Sequence, residues 1–169
     1  MKRIKRKDMG LRPTSSMVKM AIFNSIANVQ GRTLLDLCCG TGGLGIEALL
    51  RGARKVVFVD IERNRILRLK KHLSDIGLIE YSVLVNKDVV SYIKKSTECF
   101  DFIIADPPYQ TDLAVRILKQ VSTTDILKTS GTLIIEHYKR LKLPENEGKI
   151  FLIKLKTYGD TLVSYYGII

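Results

Sequence analysis

Asp106-Pro107-Pro108-Tyr109 is the stretch of this 169-residue chain whose residue types are matched most closely to one chemistry. Two prolines hold the backbone in a fixed extended turn and contribute no N–H, so the carbonyls there are open to outside donors. The Asp106 carboxylate and the Pro107 carbonyl then form a pair of acceptors, which is what an exocyclic amine with two N–H groups requires. The lone pair of a nucleobase amine is delocalised into its ring. Holding both N–H groups turns the nitrogen toward an electrophile for an in-line displacement. Tyr109 adds a ring on which an extruded base can stack. The competing reading is a strand-to-helix turn in which Asp106 caps and Tyr109 packs.

A second constellation lies upstream, in Leu34-Leu35-Asp36-Leu37-Cys38-Cys39-Gly40-Thr41-Gly42-Gly43-Leu44-Gly45. Gly40, Gly42 and Gly45 fit G-x-G-x-x-G between a strand and a helix, where glycines permit a tight turn and close approach of a nucleotide. Asp60 follows Gly40 by 20 positions, at the end of the next strand, where a carboxylate can accept from both ribose hydroxyls. Its competing role is a helix cap. A dinucleotide and S-adenosylmethionine both satisfy this much. Asp36 separates them, because in methyltransferases of this kind an acidic residue there lies near the cationic methionine end of the cofactor, and a dinucleotide has no such cation. A dehydrogenase also needs a proton donor, and Tyr92 with Lys95 has a spacing of three rather than the four common in short-chain reductases. Asp88 can reach the adenine amine or cap the next helix. The candidate cofactor contacts are Asp36, Cys38, Gly40, Gly42, Asp60, Ile61, Asp88 and Val89.

The elements that must position these loops follow from the hydrophobic pattern. Short apolar runs read as strands at Thr33 to Leu37, Lys55 to Val59, Ser82 to Val85, Phe100 to Ala105 and Thr132 to Glu136. Helical spacing predicts helices at Ser15 to Ala27, Gly43 to Arg51, Glu62 to Ile76, Val89 to Lys95 and Thr111 to Val121, the first with Met17, Met20, Ala21, Ile22 and Ile26 as its apolar set. This alternation is α/β, with a mostly parallel sheet covered on both faces. Ile150 to Lys156 and Thr161 to Ile168, joined at Tyr158-Gly159-Asp160, close it as an antiparallel hairpin. Such a sheet resembles the Rossmann-like, seven-stranded class I S-adenosylmethionine-dependent methyltransferase fold. The expected division is a basic arm over 1–14 and one methyltransferase domain over 15–169.

Lys and Arg number 28 against 17 Asp and Glu, a net charge of +11 whose field attracts polyanions. The arm concentrates it in Lys2, Arg3, Lys5, Arg6, Lys7 and Arg12, the candidate contacts to nucleic acid. An apolar content of 46% excludes wholesale disorder. No apolar run reaches 18 residues and no apolar segment follows the basic start, so neither a membrane span nor a secretory signal is expected, and the cytoplasm is the expected location. Three cysteines and two distant histidines offer no disulfide framework and no zinc site.

Arg12-Pro13-Thr14, Ala21-Ile22-Phe23-Asn24, Leu35-Asp36-Leu37, Gly42, Leu44-Gly45-Ile46-Glu47-Ala48-Leu49, Arg51-Gly52-Ala53 and Asp106-Pro107-Pro108-Tyr109 occur in that order. Together they resemble the bacterial RsmD family over about residues 12–169. The resemblance implies methylation of the N2 amine of a guanine in 16S ribosomal RNA. There are departures: only eleven residues precede Arg12, where the family has a longer segment, Cys38-Cys39 replaces Phe-Ala, and Lys19 stands where arginine is common.

A catalytic core of about 140 residues leaves no room for a module that reads DNA in the major groove. Folded RNA offers bases that are already unstacked, and bound protein can complete the surface. The expected partner is therefore 16S ribosomal RNA in a small-subunit particle, met by a monomer. Beyond the arm, Arg63, Arg65, Arg68, Lys70 and Lys71 read mainly as a solvated helix face, and Lys139, Arg140 and Lys142 as the better phosphate track. Two alternatives remain open: an adenine-N6 methyltransferase on RNA or DNA, and a non-catalytic RNA-binding or ribosome-assembly protein on the same fold.

Overall fold

A computed structural model describes residues 16–26 and 28–169. The arm over 1–14, with all its candidate RNA contacts from Lys2 to Arg12, lies outside them. Five α-helices and eight strands are described: α1 (Ser16–Phe23), β1 (Thr33–Leu37), α2 (Gly43–Leu50), β2 (Lys55–Asp60), α3 (Arg63–Asp75), β3 (Ser82–Asn86), α4 (Val89–Lys95), β4 (Phe100–Ala105), α5 (Leu113–Ser122), β5 (Leu127–Tyr138), β6 (Asn146–Glu147), β7 (Ile150–Tyr158) and β8 (Thr161–Ile168).

The strands form one sheet in the order β3-β2-β1-β4-β5-β8-β7-β6. β1 to β5 pair in parallel and β8, β7 and β6 are antiparallel. The expected α/β class and terminal hairpin are present, with Tyr158 pairing Thr161 across Gly159, whose φ is +60°. The sheet has eight strands rather than seven. Gly148, at φ +56°, turns the chain so that Asn146 and Glu147 add a two-residue outer edge against Phe151 and Ile150.

Because β1, β2 and β4 are buried on both faces, their side chains alternate between two cores. Leu34, Val56 and Phe58 meet α1, α2 and α3, whereas Leu35, Val57 and Ile103 meet α4 and α5. The described part of α1 buries Val18, Ile22 and Phe23, and leaves Met17 and Met20 exposed. Ile22 and Ile26 of the expected apolar set reach the core, and Met17 and Met20 do not. Lys19 reaches Glu47 at 3.6 Å and ties α1 to α2, with Arg51 on the same carboxylate at 2.7 Å.

β5 begins five residues earlier than the apolar run. Leu127 pairs Phe100 and Thr132 pairs Phe102, so the polar stretch between them bulges from the ladder. Its Lys128 then reaches Asp101 at 2.9 Å, where Thr33 donates both its N–H and its hydroxyl (2.9 Å each) and Arg32 lies 3.3 Å away. This charged knot joins β1, β4 and β5 at the end of the sheet opposite the glycine loop.

Candidate active site

Strand order reverses between β1 and β4: β2 and β3 lie to one side, β5 to the other. In an open parallel sheet that reversal leaves a crevice at the carboxyl ends of the strands. The glycine loop leaves β1 and the Asp-Pro-Pro-Tyr turn leaves β4 at that point, and the Asp106 N–H reaches the Leu37 carbonyl at 3.4 Å. The two motifs, 66 residues apart in the chain, are adjacent.

The glycines have different tasks. Gly42 has φ +80°, and a Cβ on it would meet Leu69 of α3 at 2.5 Å. A Cβ on Gly45 would meet the Phe58 ring at 2.2 Å, so the third glycine lets α2 approach β2. Gly40 has φ +54° and no neighbour closer than 3.9 Å, which leaves its outer side open to a ligand. Cys38 also has a positive φ, +59°, the single such case among the described non-glycine residues, and it holds the backbone in a sparsely populated region at the site.

Asp36 is buried and accepts from the Gly45 N–H at 2.9 Å. It anchors the start of α2 as well as facing the loop. Burial pushes its carboxyl up to about 7, against the Gly45 hydrogen bond, with Asp106 and Asp60 adding to the rise. Asp60 accepts from Gly40 N–H (2.9 Å) on one oxygen and Glu62 N–H (2.8 Å) on the other. It fixes the turn into α3, Arg65 lies 3.6 Å from the oxygen that Gly40 meets, and the oxygen facing Glu62 keeps a second lone pair for a ribose hydroxyl. Asn86 donates to the Asp60 and Ile61 carbonyls (3.0 and 2.8 Å), which leaves the Ile61 side chain 67% exposed beside the loop. Nothing in the sequence singles out Asn86, because an amide at a strand end has no spacing signature.

Asp88 accepts from Ser91 N–H at 2.8 Å, so its capping role is present. Val89 is buried, its side chain in the core cluster that holds Leu35, Leu37, Val57 and Val59. The Cys38 thiol is driven upward by burial and then by the charges of Asp60, Asp106, Asp36 and Asp88. A thiol held protonated in this way is a poor nucleophile, and the four charges that act on it belong to the carboxylates of the two loops and their neighbours. An open backbone cradle ringed by acids suits a nucleoside that carries a positive charge, as S-adenosylmethionine does. Among the described residues no group of three or more His, Cys, Asp or Glu could hold a metal.

In the second motif Pro107 is buried, and the Pro108 carbonyl accepts from the Thr111 hydroxyl at 2.8 Å, which ties the turn to the approach of α5. Tyr109 is more firmly held than a simple platform. Its hydroxyl donates to Glu136 Oε1 (3.0 Å) and lies 2.6 Å from Thr161 Oγ1, and its ring stacks on Tyr138 at 5.8 Å with 23° between planes. Burial, with the Glu136 and Asp106 charges, raises the phenol to about 12. Tyr138, Glu136 and Thr161 come from β5 and β8, and no spacing in the sequence links them to Tyr109.

Residues 1–167 match the family described as "conserved hypothetical protein 95". Ribosomal RNA small subunit methyltransferase D of Haemophilus influenzae is 33% identical over 162 residues, covering 92% of this chain and 81% of that protein. This chain belongs to the RsmD family. YlbH of Bacillus subtilis, provisionally named an rRNA methyltransferase, is 34% identical over 159 residues, 92% of this chain and 86% of that one. The Escherichia coli protein YhhF, provisionally described as a methyltransferase, superposes with a TM-score of 0.84 at 24% identity, over 94% of this chain and 88% of that one. The RsmD-family fold is that of the class I S-adenosylmethionine-dependent methyltransferases, and S-adenosylmethionine is the cofactor of the class. No helix among the described residues of this RsmD-family chain is long and apolar enough to cross a membrane.

Proposed function

We propose that this RsmD-family chain methylates the exocyclic N2 amine of a guanine in small-subunit ribosomal RNA. The reading rests on one observation: the Asp106-Pro107 acceptors abut the acid-ringed glycine loop across the β1/β4 reversal, through the Asp106 N–H to Leu37 carbonyl contact. Relatives named for small-subunit ribosomal RNA supply the substrate class.

S-adenosylmethionine supplies an electrophilic methyl group on a sulfonium when bound. Gly40 and Gly42 let its nucleoside approach the backbone, Asp60 accepts from the ribose, Ile61 covers the base, and Asp36, Cys38 and Asp88 complete the wall. The Asp106 carboxylate and the Pro107 carbonyl accept the two amine N–H groups and aim the nitrogen lone pair into the crevice. Alkylation makes the nitrogen acidic, and Asp106 is the carboxylate in contact with it to receive the released proton. Tyr109, fixed at its hydroxyl, presents its ring to the extruded base. The basic arm, with Lys2, Arg3, Lys5, Arg6, Lys7 and Arg12, binds phosphates.

Incubation with methyl-labelled S-adenosylmethionine and, in parallel, naked ribosomal RNA, small subunits lacking the modification and duplex DNA tests this. Label in N2-methylguanosine from a ribosomal sample is expected, and a signal from subunits alone would mean that bound protein completes the recognition surface. Label in N6-methyladenosine moves the reading to adenine, and cofactor binding without transfer to any sample moves it to an RNA-binding protein. With Asp106→Ala, turnover should fall at least 100-fold while affinity for S-adenosylhomocysteine, which lacks the sulfonium charge, stays within about twofold; intact turnover removes Asp106 from the mechanism.

A further inference from the structure

We infer that Arg140, seated on the Tyr138 ring, grips a phosphate of the nucleotide whose base is presented to Tyr109, or of its neighbour. The inference rests on the RNA-methyltransferase reading and adds to it a phosphodiester subsite. Tyr109 and Tyr138 are stacked with centroids 5.8 Å apart, and the Arg140 guanidinium lies 5.8 Å from the centroid of the Tyr138 ring, so ring, ring and cation are linked by successive contacts that start at the catalytic turn. The row is rigid at its root, because the Tyr109 hydroxyl is held by Glu136 and Thr161.

The neighbouring cations differ. Lys139 is paired with Asp160, so its charge is already answered. Arg140 is exposed, and among the described residues it forms no ion pair with a carboxylate. A guanidinium lying on a ring keeps its N–H edge available, and that edge matches two phosphate oxygens at once. Stacking supplies pre-organisation, which a solvated lysine lacks. The row therefore suits a nucleic acid strand better than a protein surface, because it offers a ring to a base and a fork to a phosphate in series.

The test measures binding of small-subunit ribosomal RNA to the full chain with S-adenosylhomocysteine present, across a salt series, together with steady-state methylation of small subunits. Arg140→Gln should flatten the slope of log affinity against log salt by about 0.7, the value for one phosphate contact on single-stranded nucleic acid. It should also raise KM several-fold and leave kcat within twofold. Arg140→Lys should restore the slope and only part of the KM, because charge returns without the fork. A packing role alone predicts an unchanged slope in both variants. Wild-type slope and KM in Arg140→Gln overturn the inference. The slope is read from binding, so that result stands whichever nucleoside carries the methyl group.

Discussion

At the residue scale the site turns on groups displaced from their ordinary behaviour. Asp36 has a folded-state value of about 7, above the ordinary 3.8. Its contribution to stability is complete below about pH 4 and is lost as pH rises through 7, because the unfolded chain then holds the proton less well than the folded one. A cationic ligand favours the ionised form. Cofactor affinity should accordingly strengthen from pH 6 to 7, by up to about tenfold per pH unit, and level off above it. Calorimetry in two buffers of different ionisation enthalpy should detect proton release on binding, and Asp36→Asn should remove both effects. Tyr109→Phe tests the other group: it keeps the ring and deletes the donor to Glu136 and the contact to Thr161. A stability loss of about 1–2 kcal/mol in urea unfolding is expected, with a fall in kcat from the loosened platform.

At the element scale, the glycine loop works because helices come close to the sheet behind it. Gly45→Ala would drive a Cβ into the Phe58 ring, and the relaxation of α2 should cost about 1–3 kcal/mol and weaken cofactor binding through the shared Asp36 contact. Gly31→Ala is the control. Unlike Gly45 it has a positive φ, +71°, and it meets nothing within 4 Å, so its substitution strains the backbone alone and should leave cofactor affinity unchanged. At the opposite end of the sheet Asp101 is held down to about 2 by Lys128 and Thr33, against its burial. A lowered value stabilises the fold above pH 3.8, and that stability is lost as pH falls toward 2. Asp101→Asn should flatten the acid limb of the stability profile without changing cofactor affinity. This knot is not legible in sequence, because it depends on a bulge between Phe100 and Phe102 that no hydrophobic period encodes.

For the whole molecule, the net charge of +11 sets long-range attraction to RNA, and local contacts set where the strand lies. Deleting residues 1–11 should flatten the salt slope by about 0.7–0.9 for every phosphate that the arm no longer neutralises. An unchanged slope would remove the arm from RNA binding. The α3 cluster behaves as a solvated face: Arg63, Arg68, Lys70 and Lys71 are exposed, and Arg65 turns back to Asp60 at 3.6 Å. Lys19 spans α1 and α2 through Glu47.

The sequence by itself determined the α/β alternation, the terminal hairpin, the two motif loops and the family, because each is written in local period or in short contiguous blocks. Five of the eight strands follow the apolar runs to within one residue at each end; β5 begins early, the hairpin strand β7 runs two residues further, and β6 escapes the pattern because two polar residues carry no period. Tertiary structure alone decided which side chains share the crevice. It buried Val89 in the core and joined Asp60 to the Gly40 N–H twenty residues upstream. It also brought Glu136, Tyr138 and Thr161 to Tyr109. The physical reason is common to all of these: a motif fixes the backbone locally, whereas the partners of a side chain come from strands joined only by the order and register of the sheet.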